Sequence, residues 1–278
     1  MEVKLMLKCN DWPIAICSWS LGHEVDAVVE AMRKMDVGSV NLALGPALTE
    51  NGKDYLAAIR RQDWTITATM IAFPTEDYST LDTIKVTGGI GPDEHWEQNK
   101  SLALGAIDIT AQLGVEYLLM HFGFIDHTKP DYARKFYDRT RLLADAAEKK
   151  GVKFLMETGQ ETAEELKHFL TEMDHPALRV NFDPANMILY AKGNPLQAVR
   201  VLAPWVRHVH AKDALKTKQP GTWGQEVPWG EGEVNTESFL KTLKEIGYRG
   251  ALAIEREAGE NRFGDIKLAA ERLAAFSG

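Results

Sequence analysis

The chain has 278 residues, 45% of them hydrophobic and 26% charged, the balance of a folded protein with a core of its own, which excludes a low-complexity or disordered chain. Its 32 basic against 40 acidic residues leave a net charge of −8, which repels phosphate backbones and argues against a nucleic-acid partner. No stretch approaches the roughly 20 apolar residues of a membrane span, the opening MEVKLMLKCNDWPIAICSWS is too broken by charge for a secretory leader, and Cys9 and Cys17 alone make no disulfide framework, so a reducing cytoplasm is the expected setting.

Short apolar runs alternate with longer amphipathic stretches. The predicted strands are Pro13–Trp19, Ser39–Leu44, Trp64–Ile71, Val115–His121, Lys153–Glu157, Leu178–Asp183, Val206–His210 and Ala251–Glu255. Between them, Val25–Lys34, Asp131–Lys150, Ala163–Thr171 and Ser238–Ile246 carry the 3.6-residue apolar spacing of helices. Eight strands alternating with helices predict an α/β fold, one (β/α)8 TIM barrel filling residues 1–278. An open doubly wound sheet would normally begin with a glycine-rich turn, and ICSWSLGHE is not one. Gly114, Gly151 and Gly250 stand where helices must end, as C-terminal glycine caps would. The two longest irregular stretches, Pro74–His95 and Lys212–Asn235, follow strand ends, where barrel enzymes keep their binding loops.

Four strands run into a metal-capable side chain. These are Glu157 after Phe154-Leu155-Met156, Asp183 after Val180-Asn181-Phe182, His210 after His208-Val209, and Glu255 after Leu252-Ala253-Ile254. Each has a bland reading: a helix cap or solvated carboxylate, a turn initiated by Asp183 before its proline, a satisfied histidine. Four coincidences at one position of successive strands outweigh those readings, because a parallel barrel gathers all strand C-terminal ends on one face. Three carboxylates and one imidazole suit Mn2+, Mg2+ or Co2+, with Mn2+ first, whereas zinc more often recruits cysteine or several histidines.

Secondary candidates surround this set. His121 ends the fourth strand in LLMHFG, and Lys212 lies two residues past His210, where strand alternation sends it to the same side. Gln160 and Asn186 are loop amides placed to meet substrate hydroxyls, or to cap. Trp12, Trp19, Trp223 and Trp229 are core residues or an apolar wall for a sugar ring. Gly230 and Gly232 allow a tight turn and do not form a nucleotide loop.

The segments FLMETGQET, VNFDPANMILY, HVHAKDA, PWGEGEVN and GALAIERE give the chain a resemblance to the xylose-isomerase-like barrels of the sugar phosphate isomerase/epimerase family. That family includes ketose 3-epimerases, hydroxypyruvate isomerase, inosose dehydratase and, more distantly, endonuclease IV. The resemblance implies one metal held by Glu157, Asp183, His210 and Glu255. It makes the two glutamates the acid/base pair on opposite faces of the substrate. It also implies a dimer or tetramer. Two positions depart from the ketose epimerases: Asn186 stands where many carry histidine, and Lys216 where they carry arginine.

The expected activity is therefore a divalent-metal-dependent isomerase or epimerase acting on a small ketose or keto-polyol through an enediolate. The alternative is a dehydratase or lyase on a keto-sugar or keto-inositol. An endonuclease IV-like phosphodiesterase would need more histidines, and none lies between His210 and Glu255. A non-catalytic sugar binder would not need two glutamates.

Overall fold

The computed structural model describes residues 6–277; Met1–Leu5, the first residues of the segment read above for a leader, and Gly278 lie outside them. Eight parallel strands form the barrel: β1 (Trp12–Cys17), β2 (Ser39–Ala43), β3 (Thr65–Ile71), β4 (Tyr117–Met120), β5 (Lys153–Glu157), β6 (Leu178–Phe182), β7 (Val206–Ala211) and β8 (Leu252–Ile254). Each pairs with the next, and β8 returns to β1 through Leu252 opposite Ile14 and Ile254 opposite Ile16. Closure removes the sheet edges and puts every strand C-terminal end at one mouth.

The helices are α1 (Val25–Lys34), α2 (Gly52–Arg60), α3 (Leu81–Thr87), α4 (Trp96–Gln112), α5 (Pro130–Lys149), α6 (Ala163–Met173), α7 (Pro184–Leu189), α8 (Pro195–Leu202), α9 (Thr236–Glu245) and α10 (Arg262–Ala274). No helix among the described residues is long and apolar enough to cross a membrane.

Strand alternation divides the core. Phe154 and Met156 of β5, Val180 and Phe182 of β6, Val209 of β7, and Leu252 and Ile254 of β8 belong to the large outer core against the helices. The opposite parity points into the barrel. There Ala68, Leu119 and Leu155 pack together on one side, and Ala15, Cys17 and Ala253 on the other. Glu157 shares the parity of Leu155, Asp183 that of Asn181, His210 that of His208, and Glu255 that of Ala253. The pleat therefore aims all four at the barrel axis. Beneath Asp183 and His210 the interior is polar, where barrels usually hold branched aliphatics, whereas Leu155 and Ala253 lie beneath Glu157 and Glu255. His208 bonds Thr67 Oγ1 through Nε2 at 3.1 Å and Asn181 Oδ1 through Nδ1 at 2.8 Å.

Three boundary glycines were expected as helix caps. Gly114 (φ 70°) and Gly151 (φ 72°) do follow α4 and α5 in the left-handed region. Gly250 does not. The left-handed glycine after α9 is Gly247, at φ 71°. Gly250 is small for another reason: a Cβ there would lie 2.2 Å from the Arg207 carbonyl oxygen.

The two long irregular stretches are ordered. The first contains α3. The second contains a hairpin pairing Asp213–Leu215 with Gln225–Val227. Its closing turn wraps one buried carboxylate: Asp213 accepts from the backbone N–H of Ala214 (2.8 Å), Gly230 (3.0 Å), Gly232 (3.0 Å) and Val234 (3.1 Å). A Cβ on Gly232 would stand 2.2 Å from Asp213 Oδ1, so only glycine lets the chain close on the carboxylate.

Asp213→Ala leaves four backbone donors, those of Ala214 and Val234 buried, without their acceptor. Urea denaturation is expected to show a loss of roughly 2–4 kcal/mol of unfolding free energy. An unchanged midpoint would mean that the turn holds itself.

Candidate metal centre

Glu157, Asp183, His210 and Glu255 are all buried, and one donor atom from each lies within 4.8 Å of the others. The centre of the group is His210 Nδ1, which sits 2.8 Å from Glu157 Oε1, 3.1 Å from Glu255 Oε2 and 3.7 Å from Asp183 Oδ2. None of these contacts has hydrogen-bond geometry, so Nδ1 is a buried polar atom with no bonded partner among the described residues.

The other ring nitrogen explains this. His210 Nε2 lies 3.1 Å from Asn41 Oδ1, and Asn41 Nδ2 donates to the Ala68 carbonyl at 3.0 Å. The amide therefore presents its oxygen, Nε2 carries the hydrogen, and the lone pair of a neutral ring is on Nδ1. That lone pair faces three carboxylates. Such a group needs a positive charge at its centre, either a proton or a cation.

Asp183 shows the same incompleteness. Its Oδ1 accepts from the Asn186 N–H at 2.9 Å and caps α7, while Oδ2 is buried without a hydrogen-bond partner. One oxygen thus does the capping work while the other faces the cluster. Burial pushes the Asp183 pKa up to about 6, only partly offset by Lys212 and His210. Burial opposes charge on Glu157 too, but His210 and His121 outweigh it and bring its pKa down to about 2. On His210 burial is outweighed by the surrounding anionic groups, which hold it well above the usual imidazole range. Cys17 also approaches His210 and Glu255, yet burial pushes its thiol up to about 12 and keeps it neutral. The donor set fits a divalent cation, which would satisfy both orphaned atoms at once.

Each glutamate has a different neighbour on its far side. His121 Nε2 lies 2.7 Å from Glu157 Oε2, and its Nδ1 hydrogen bonds to the Tyr78 hydroxyl with Glu76 nearby at 3.8 Å. Lys212 Nζ lies 2.9 Å from Glu255 Oε2 and 2.8 Å from Glu257 Oε2, with Glu226 and Asp183 just under 4 Å away. Burial opposes the Lys212 charge, but these carboxylates overcome it and hold the ammonium well above its usual pKa. Trp19 Nε1 donates to Glu255 Oε1 at 2.8 Å.

His121 and Lys212 are thus brought onto the two glutamates. Gln160 and Asn186 are buried in the segments following Glu157 and Asp183, and neither side-chain amide hydrogen bonds to another described residue. Asn186 is not a loop residue but lies in the first turn of α7, joined to the cluster only by its backbone N–H on Asp183 Oδ1, and no hydrogen bond ties Gln160 to the four residues. Lys216 points outward, 74% exposed, towards Glu233. The tryptophans divide: Trp12 and Trp229 are core, while Trp19 meets Glu255 and Trp223 packs edge-on to Tyr190. Asn41, Asn181, Glu76, Tyr78, Glu226 and Glu257 were not anticipated. Two of them left a readable signal, since Asn41 in SVNLA and Asn181 in VNF are lone amides in strands buried on both faces.

A family profile described as xylose isomerase-like TIM barrel matches residues 25–276. The chain belongs to that family. Among solved structures of xylose isomerase-like barrels, a xylose isomerase domain protein from Planctomyces limnophilus superposes with a TM-score of 0.85 at 33% identity, over 95% of this chain and 96% of that one. A barrel from Mycobacterium smegmatis in complex with magnesium gives 0.73 at 17%, over 98% of each chain. An L-ribulose 3-epimerase gives 0.70 at 16%, over 94% of this chain and 95% of that one. The last two share the fold. Among curated relatives, the uncharacterised protein MJ1311 of Methanocaldococcus jannaschii is 28% identical over 55% of this chain and 54% of its own length. The inosose dehydratase of Clostridium botulinum strain Alaska E43 is 29% identical over 41% of this chain and 44% of its own length. The chain spans about half the length of these curated relatives.

Asn41→Ala removes the acceptor that fixes the His210 ring. The dissociation constant for Mn2+, measured by titration calorimetry, is expected to rise by roughly 10–100-fold. Unchanged affinity would show that Asn41 does not orient the ligand.

Proposed function

We propose that Glu157, Asp183, His210 and Glu255 hold one divalent cation, Mn2+ before Mg2+ or Co2+, in a metal-dependent isomerase or epimerase acting on a small ketose or keto-polyol. One observation carries this reading: two glutamates meet at a buried centre where His210 Nδ1 and Asp183 Oδ2 both lack partners. Glu157 and Glu255 have cationic partners in His121 and Lys212, but a purely structural cluster would not leave those two facing atoms without one.

When bound, the cation supplies the positive charge that stabilises negative charge developing on a carbonyl oxygen as the neighbouring C–H proton leaves. The remaining work falls to the chain. Glu157 or Glu255 removes the proton and the other glutamate returns one. His121 Nε2 stands 2.7 Å from Glu157 Oε2; burial opposes its charge, but Glu157 and Glu76 outweigh it and keep the ring protonated, so it donates to that oxygen and holds the glutamate oriented. Lys212 and Trp19 hold Glu255 oriented through its two oxygens. Because the glutamates share His210, they titrate as a coupled set.

The second reading, a dehydratase on a keto-sugar or keto-inositol, starts with the same proton removal. The unequal partners of the two glutamates favour it: dehydration needs one base and one acid. Glu157 and Glu76 hold His121 protonated against burial, which makes it an acid for a leaving hydroxyl, while the ammonium of Lys212 is shared between Glu255 and Glu257. The likeness to an inosose dehydratase supports the same reading. Loss of water from the product separates the two reactions.

In deuterated buffer with Mn2+ and a panel of ketoses and keto-inositols, the protein should incorporate deuterium at the carbon next to the carbonyl of its substrate, as read by NMR. Glu157→Gln and Glu255→Gln should each slow this by roughly a hundredfold or more. Retained exchange in both variants would sink the two-glutamate mechanism.

A further inference from the structure

A second group of ligating side chains lies on the outer face between α5 and α6, away from the barrel mouth cluster. We infer that His127, His168 and Glu172 form a site for a late first-row divalent cation, with Zn2+ as the probe, and that the bound ion clamps the loop after β4 to α6.

The ligands converge from two elements. His127 belongs to the loop of residues 121–129, which has no helix or strand of its own. His168 and Glu172 stand four residues apart on α6, so they share one face of the helix. One donor atom from each of the three lies within 4.8 Å of the others. The two imidazole rings are 4.9 Å apart between centroids, and His168 Nε2 lies 3.5 Å from Glu172 Oε2.

Tyr137 of α5 holds the group together. Its hydroxyl donates to Glu172 Oε2 at 2.5 Å and lies 3.1 Å from His127 Nε2. Burial and the Glu172 carboxylate raise its pKa, so it stays a phenol and acts as a donor. It therefore positions two of the three ligands before any ion arrives.

Two imidazoles and one carboxylate select differently from the mouth cluster. Nitrogen donors favour Zn2+, Ni2+ and Cu2+ over Mn2+ and Mg2+, which prefer the three oxygens at the mouth. The side chains of His168 and Glu172 are 56% and 51% exposed. An ion can enter from solvent and keep water in its open positions. The surface group of Asp145, Glu148 and His175 offers a single imidazole and lacks this preference.

The clamp follows from where His127 sits. The same loop begins at His121, which meets Glu157, and is tied midway by the Ile125 N–H donating to Glu161 Oε1 at 3.1 Å. Tying its far end through His127 would fix the loop from the mouth to α5.

The test compares the whole protein with His168→Ala, a change at an exposed helical position where alanine is well tolerated. Bound zinc is counted after equilibrium dialysis against Zn2+. The difference between the two proteins is the readout, so the mouth cluster contributes equally to both. The wild type is expected to hold one more Zn2+ per chain than the variant. Zinc should also slow amide exchange of residues 124–128 in the wild type and not in the variant. Equal counts overturn the site. A lower count in the variant without the difference in exchange overturns the clamp.

Discussion

A hydrogen bond from His210 Nε2 to Asn41 Oδ1, 3.1 Å long and fully buried, sets the character of the barrel mouth. It places the hydrogen of the imidazole on the side away from the carboxylates. The lone pair then faces Glu157, Asp183 and Glu255, a gathering of like charge that folding alone has no reason to build. Burying three carboxylates around an acceptor is among the costliest arrangements a protein can adopt unless a cation belongs there. The partners around the group answer the same electrostatic demand, with His121 on Glu157 and Lys212 on Glu255.

The barrel supplies the geometry for this chemistry at little structural expense. Inward parity on β5, β6, β7 and β8 brings residues far apart in sequence to one axis. Small inward residues, Ala15 and Cys17 on β1 and Ala253 beneath Glu255 on β8, pack together beside them. Below lies a connected polar layer, Thr67 to His208 to Asn181, and Asn181 Nδ2 reaches Glu157 Oε1 at 3.4 Å. The long loop after β7 is not loose cover. It is pinned by the Asp213 carboxylate, and its hairpin brings Glu226 to Arg256 and Lys212.

Much of this was legible beforehand. The eight strands read correctly because strands buried on both faces are near-continuous apolar runs. Helices α1, α5, α6 and α9 showed one apolar stripe each. Helix α4 did not, since it buries Asn99, Ala103, Ala106 and Thr110 alongside Ile107, and small or polar residues blur the period. The four cluster residues were found from strand-end position, a local property. Their supports were harder to find because they act across the barrel: Asn41 on β2 serves His210 on β7, and Trp19 serves Glu255 across 236 positions of sequence. Nothing along the chain pairs such residues. Gly250 misled because its smallness answers a neighbouring strand's carbonyl rather than a helix end.

The central claim is that the buried cluster is a cation site and not a set of structural acids. The most direct measurement is anomalous diffraction from crystals grown with Mn2+. The account predicts one strong peak at the barrel mouth, with oxygens of Glu157, Asp183 and Glu255 and Nδ1 of His210 at roughly 2.0–2.3 Å from it. An empty cluster at saturating Mn2+, with His210 hydrogen bonded to a carboxylate through a protonated Nδ1, would contradict it.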